Sequence, residues 1–235
     1  MTLAKAMLMT APAIQKKART TRPVAVHEEV YQRLRHAIIS GQFEPGRSLS
    51  VRSLAAEFGV SAMPAREAIR QLAALGALEF TPTRRVTIAR MSKSKLDELC
   101  EARLALEPAL AVRALKGKGA AREKLAAELV RIDALLDEAI KRGDSADYAK
   151  FNSEFHFKLY EAANAPVYLG LVESLWLQTG PFMRVVIGRV GTSSLVDQHQ
   201  EAVRAIRAGN AVKLEAAIRD DIKEGMTNIA RADLS

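Results

Sequence analysis

Residues 50–76 read SVRSLAAEFGVSAMPAREAIRQLAALG, and this stretch decides the fold of the front of the chain. Ser50 is a helix-capping residue type, and Val51 to Phe58 follows it as a short apolar-periodic segment. Gly59-Val60-Ser61 interrupts the period with a residue that takes the left-handed conformation at little cost. Ser61 predicts the cap of a second helix, Ala62 to Leu75, with Pro64 in its first turn, where a missing N–H is tolerated. Leu54, Ala55, Phe58 and Val60 face Ala68, Ile69 and Leu72 across an apolar seam that locks the two helices together.

Working outward, Glu28 to Ser40 places Val30, Leu34, Ala37 and Ile38 on one helical face, and Gly41-Gln42-Phe43-Glu44-Pro45-Gly46 stops it. Past Gly76, Leu78-Glu79-Phe80 and Val86-Thr87-Ile88 flank Thr81-Pro82-Thr83-Arg84-Arg85 and predict a hairpin. Two helices joined by a three-residue turn, then a basic hairpin, make a winged helix-turn-helix, a DNA-binding domain over residues 23–91. Arg66 and Arg70 are four apart and share a face of the second helix, where guanidinium groups read guanine edges or clamp phosphates. The Ser61 hydroxyl and the helix-start N–H groups suit a phosphate. Arg52 is placed towards the DNA backbone, and Arg84 and Arg85 at the hairpin tip suit a minor groove or a phosphate. The competing reading makes Arg66 and Arg70 solvated side chains, Arg70 paired with Glu67, and Ser61 a simple cap.

Charge supports the first reading. Of the net +8, residues 1–22 carry five basic and no acidic side chains, read as a flexible basic tail, and residues 23–91 carry nine Arg against six Glu. Residues 92–235 balance at 21 basic and 21 acidic groups, so the whole excess lies in front and points to a polyanion such as double-stranded operator DNA. The 235 residues suffice for one or two domains, and the single cysteine, Cys100, excludes an intrachain disulfide framework and a cysteine-based structural zinc site. No apolar run spans a bilayer, and the expectation is a cytoplasmic protein.

From Ser92 onward the pattern is amphipathic helix, near 94–116, 120–142, 145–163, 166–188 with a break at Gly180-Pro181, 194–208 and 211–231. Short connections between six helices predict an antiparallel α-helical bundle, residues 92–235. Polar residues interrupt its apolar faces. Asn152 and His156 sit one turn apart beside Tyr148, Phe155 and Leu159, His199 lies in line with Leu195, Ala202, Val203 and Ile206, and Asp221 continues the stripe Leu214, Ala217, Ile218. Two imidazoles and a carboxylate from three helices can converge on a divalent metal ion, with zinc and nickel as candidates; the alternative is a set of satisfied core residues. Arg103, between Leu99 and Leu106, is a buried cation compensated either by Glu107 one turn on or by a bound anion.

These residues resemble known families. Leu54-Ala55, Gly59-Val60-Ser61, Pro64-Ala65-Arg66-Glu67-Ala68-Ile69, Leu72 and Gly76, with Ile38-Ile39-Ser40-Gly41 before them, resemble the DNA-binding domain of the GntR family of bacterial transcription regulators. The resemblance implies operator contacts by Arg52, Arg66 and the hairpin tip. Ala62 stands where the family usually has Arg, and Arg85 where its wing usually has Gly. Glu101-Ala102-Arg103-Leu104-Ala105-Leu106-Glu107-Pro108, Asn152-Ser153-Glu154-Phe155-His156 and Ala163-Asn164 look like the FCD effector domain of the FadR subfamily. That likeness implies a ligand-responsive homodimer, metal ligands at Asn152, His156, His199 and Asp221 (where the family usually has a third His), and a small carboxylate effector partnered by Arg103. Two further readings stay open: a metal-dependent helical enzyme, although no His-Glu-x-x-His, phosphate loop or Gly-x-Ser-x-Gly motif is present, and a metal-free regulator responding to acyl ligands.

Overall fold

The computed structural model describes residues 23–81, 85–190 and 198–231. The expected basic tail and Arg84 lie outside the described residues. The front of the chain builds α1 (Pro23–Ile39), β1 (Ser48–Leu49), α2 (Val51–Phe58), α3 (Ala62–Ala74), β2 (Leu78–Phe80) and β3 (Val86–Ile88). The three strands form one antiparallel sheet in the order β1-β3-β2, with Leu78 opposite Ile88 and Ser48 opposite Thr87. The hairpin was legible in the sequence, but β1 was not, because two residues carry no periodicity. α1 starts at Pro23, earlier than the expected Glu28, which agrees with proline's preference for a first helical turn.

Local chemistry accounts for the boundaries. The Ser50 hydroxyl accepts from the Ser53 N–H at 2.9 Å and starts α2, while Gly59, at φ 66° and ψ 33°, closes it. Ser61 occupies the cap position of α3 but makes no side-chain cap hydrogen bond. Of the two N–H groups such a side chain can meet, those of residues 63 and 64, Pro64 removes the second. The seam is as expected: Leu54, Ala55, Ala68, Ile69 and Leu72 are buried, with Phe58 and Val60 half-buried against them.

Behind the sheet come α4 (Lys93–Ala114), α5 (Gly119–Arg142), α6 (Ser145–Glu161), α7 (Pro166–Val190), α8 (Gln198–Ala208) and α9 (Ala211–Arg231). α4 packs on α9 and α7, α5 on α6 and α8, and α8 on α9, around a core that includes Leu110, Leu129, Phe155, Leu177 and Ile218. No helix among the described residues is long and apolar enough to cross a membrane.

One expectation fails here. α7 runs unbroken through Gly180-Pro181. Pro181 removes one N–H from the helical ladder, but burial of Trp176, Leu177, Phe182 and Val186 on one side holds the helix together. On the other side Gly180 lies against α1, so closely that an added Cβ would run into the Ile39 carbonyl oxygen and stand 2.9 Å from its Cα. The glycine is there for close packing, not for a turn.

Candidate effector cavity and nucleic-acid interface

Ser61, Ala62, Met63, Arg66 and Arg70, at and along α3, are exposed to solvent, as is Arg52 on α2. Arg70 is engaged: its Nε and Nη2 donate to the two Glu67 carboxylate oxygens at 3.0 and 2.7 Å, the surface pair that the sequence allowed. Arg85, at the foot of the wing, is exposed, and its backbone N–H donates to the Thr81 hydroxyl at 3.1 Å. Arg52, Arg66 and Arg85 are thus each open to solvent on the helix-turn-helix and its wing, the type of side chain that meets DNA phosphates.

The bundle brings its polar residues together. His156 on α6, His199 on α8 and Asp221 on α9 each direct one ligand atom to a common point, with those atoms within 4.8 Å of one another. His156 Nε2 lies 3.1 Å from Asp221 Oδ2, and His199 Nε2 lies 3.7 Å from Asp221 Oδ1. Both histidines are buried, and Asp221 keeps 24% of its side-chain surface, open to a cavity. That cavity, of about 100 Å³, is walled by Leu136, Met183, Val186 and Ile222 and has Tyr148, Asn152 and Arg103 in its lining. Asn152 is 5% exposed. Of the four residues singled out as metal ligands, His156, His199 and Asp221 cluster, and Asn152 joins His199 and Asp221 in the cavity lining.

The orientation of the imidazoles follows from their outer nitrogens. His199 Nδ1 lies 3.0 Å from Asp133 Oδ1, and a carboxylate can only accept there, so Nδ1 carries a proton and Nε2 is the nitrogen turned towards Asp221. His156 is set by a longer chain. Its Nδ1 lies 3.1 Å from the Tyr160 hydroxyl, which donates its own hydrogen to Glu107 Oε2 at 2.7 Å. The tyrosine oxygen is left to accept, so His156 Nδ1 donates and Nε2 is the nitrogen turned on Asp221. With Nδ1 donating on both rings, each Nε2 meets the Asp221 carboxylate either as a protonated donor or, on a neutral ring, as a lone pair open to a cation. Burial on its own would raise the Asp221 pKa; the His156 charge and hydrogen bond, followed by His199 and Arg103, outweigh it and bring the group down to about 2.

Glu107 anchors this chain. Fully buried, it accepts from Arg103 Nε at 2.6 Å and Nη2 at 3.3 Å, from Tyr160 at 2.7 Å and from the indole N–H of Trp176 at 3.0 Å. Burial works against the Arg103 charge, and Glu107 more than compensates, leaving the guanidinium pKa raised. Tyr160 moves well above its ordinary range, by burial and then by the Glu107 charge. Of the two compensations open for Arg103, the intrahelical pair is the one formed; the guanidinium also lies over the Trp176 ring at 4.7 Å. Asp133, Tyr160 and Trp176 were missed by the sequence reading. Tyr160 carried a signal, one turn beyond His156 on the same face, and Asp133 another, a carboxylate among Leu129, Ile132 and Leu136.

α7 joins the two regions. Trp176 and Met183 face the cavity side, while Glu173 pairs with Arg35 of α1 (Nη2 to Oε2 2.7 Å) and accepts from the Tyr31 hydroxyl at 3.3 Å. Gly180 seats on Ile39, and the Gln178 side chain packs over Gly76 at the end of α3.

Residues 26–88 match the family model described as bacterial regulatory proteins, gntR family, and residues 98–224 match the FCD domain. The HTH-type transcriptional regulator McbR of Escherichia coli (strain K12) is 29% identical over 208 residues, covering 88% of this chain and 92% of its own length. The HTH-type transcriptional repressor RspR of the same organism is 24% identical over 215 residues, covering 90% and 91%. The solved structure of E. coli McbR/YncC superposes with a TM-score of 0.79 at 23% identity, covering 88% of this chain and 97% of that one, which is a likeness of fold. These relatives are named as regulators of transcription, not as enzymes, so the reading as a metal-dependent enzyme is set aside.

Proposed function

Since the chain belongs to the GntR family of bacterial regulatory proteins and carries an FCD domain, we propose that it is a metal-assisted sensor of a small carboxylate that controls its own hold on operator DNA. Family membership makes it a transcription regulator with ligand-responsive DNA binding. The site chemistry beyond that rests chiefly on one observation: His156 and His199 turn their Nε2 atoms on Asp221, each ring held by a hydrogen bond at Nδ1. Neutral imidazoles backed by a hydroxyl or carboxylate, together with a carboxylate and an amide, fit a borderline divalent ion such as zinc or nickel. Asn152, His156, His199 and Asp221 would hold it, and the bound ion would supply a Lewis-acid anchor for an effector carboxylate. Arg103 adds positive potential from the cavity wall while remaining bonded to Glu107.

In this reading Arg52, Ser61, Arg66, Arg70, Arg84 and Arg85 contact the operator, the two functions divide near residue 91, and the chain works as a cytoplasmic homodimer on a two-fold operator. Ligand and DNA are coupled because α7 forms part of the cavity lining and also grips α1 through Glu173 and Gly180. An effector that favours one seating of α7 shifts the population of head positions, and operator affinity follows. The test is metal analysis of untagged protein purified without chelators, followed by thermal shift with a panel of small carboxylic acids with and without divalent metal. Near-stoichiometric metal and metal-dependent stabilisation are expected. Stabilisation by acyl carboxylates that is indifferent to metal would replace this reading with the metal-free one.

A further inference from the structure

The first turn of α3 carries no charged side chain. Ser61, Ala62, Met63 and Pro64 stand there, and Met63 is the only long one. It is 71% exposed, on a helix whose opposite side (Ala65, Ala68, Ile69, Leu72) is buried against α1 and α2. Successive helical residues turn by about 100°, which puts Met63 and Arg70 in the middle of the outward face, with Arg66 to one side. In helix-turn-helix docking the N-terminal residues of the second helix meet base edges in the major groove. At the point of deepest entry this chain therefore offers a flexible, polarizable thioether where a hydrogen-bonding group would be the ordinary choice.

An apolar side chain in the major groove has one specific partner, the C5-methyl group of thymine. Cytosine at the same place presents a bare C5–H, and the purines turn polar N7 atoms towards the protein. We infer that Met63 is a specificity-determining residue that reads a thymine methyl in each operator half-site. The inference rests on the DNA-binding reading and is independent of the metal. Arg70, held in its pair with Glu67, does not compete for the same edge.

The experiment uses the full chain. Its preferred duplex is selected from a randomised pool, and each thymine of that site is then replaced singly by deoxyuridine, which deletes only the methyl. For the wild type, one such replacement per half-site weakens binding about fourfold, the worth of one buried methyl. Met63→Ala weakens binding to the thymine site and becomes indifferent to deoxyuridine at that position, whereas Met63→Leu keeps most of the discrimination. The side chain is exposed, so folding is not at stake. Deoxyuridine that costs Met63→Ala as much as the wild type, or that costs the wild type nothing at any position, overturns the assignment. A chain that selects no duplex at all overturns the DNA-binding reading itself, which is a separate outcome.

Discussion

Glu107→Gln isolates the charge at the centre of the buried network. Glutamine keeps the shape and still offers an oxygen to Tyr160 and Trp176, but the Arg103 guanidinium, 4% exposed, loses its counter-ion. Removing one partner of a buried pair costs about 3–5 kcal/mol. Arg103 borders the cavity, where water gives partial relief, so the lower end applies, about 3 kcal/mol. For a chain of this size that lowers Tm by about 6–12 °C. Arg103→Met is milder, because Glu107 keeps two donors in Tyr160 and Trp176. The double variant replaces a buried ion pair with neutral groups and is less destabilised than the sum of the singles by at least about 1 kcal/mol. Trp176 is the only tryptophan and donates to Glu107, so its fluorescence follows both unfolding and the local change. A Glu107→Gln protein within about 1 kcal/mol of wild type, or singles that simply add, would refute the claim that this pair is held together by its charge.

Three more outcomes are expected. Tyr160→Phe deprives His156 Nδ1–H of its acceptor, and Asp133→Asn weakens the equivalent hold on His199; each lowers divalent-metal affinity about tenfold by competition titration, with the fold retained by circular dichroism. In metal-free protein, Asp221 titrates near 2 against an ordinary 3.8, so its contribution is present above about pH 4 and is lost as pH falls through the folded value. This is roughly 2 kcal/mol, and Asp221→Asn flattens the acid limb of the stability curve between about pH 4 and pH 2. Glu173→Gln loosens α7 from Arg35 and Tyr31 of α1. The variant keeps both operator binding and effector binding, but the effector changes operator affinity less than in wild type, measured by anisotropy with and without effector.

What could be read from the residues follows the strength of local signals. Gly59, Pro64 and the Leu54–Leu72 seam determine the helix-turn-helix because each acts within a few residues, whereas β1 exists only through its pairing with β3. The break expected at Gly180-Pro181 shows the opposite: a local breaker overruled by packing on both faces of α7, with Ile39 as a partner far away in sequence. At the site, His156, His199, Asp221 and Asn152 stand out as polar residues on apolar stripes; the first three bring ligand atoms within 4.8 Å of one another, and Asn152 lines a cavity with His199 and Asp221. The residues that orient them did not stand out. Tyr160 and Trp176 look like ordinary core aromatics, and their direction towards Glu107 depends on three helices packing together. Arg103 carried two readings, and only the distance to Glu107 separates them.

The proposed operator recognition centres on Arg66 and the head around it. The direct measurement is the affinity of the full chain for a duplex from its own locus and for a random duplex, over a range of salt, for wild type and Arg66→Ala. Wild type is predicted to prefer its own duplex, to weaken steeply with salt, and to lose most of that preference on Arg66→Ala. Equal binding to both duplexes, or a preference untouched by Arg66→Ala, would contradict it.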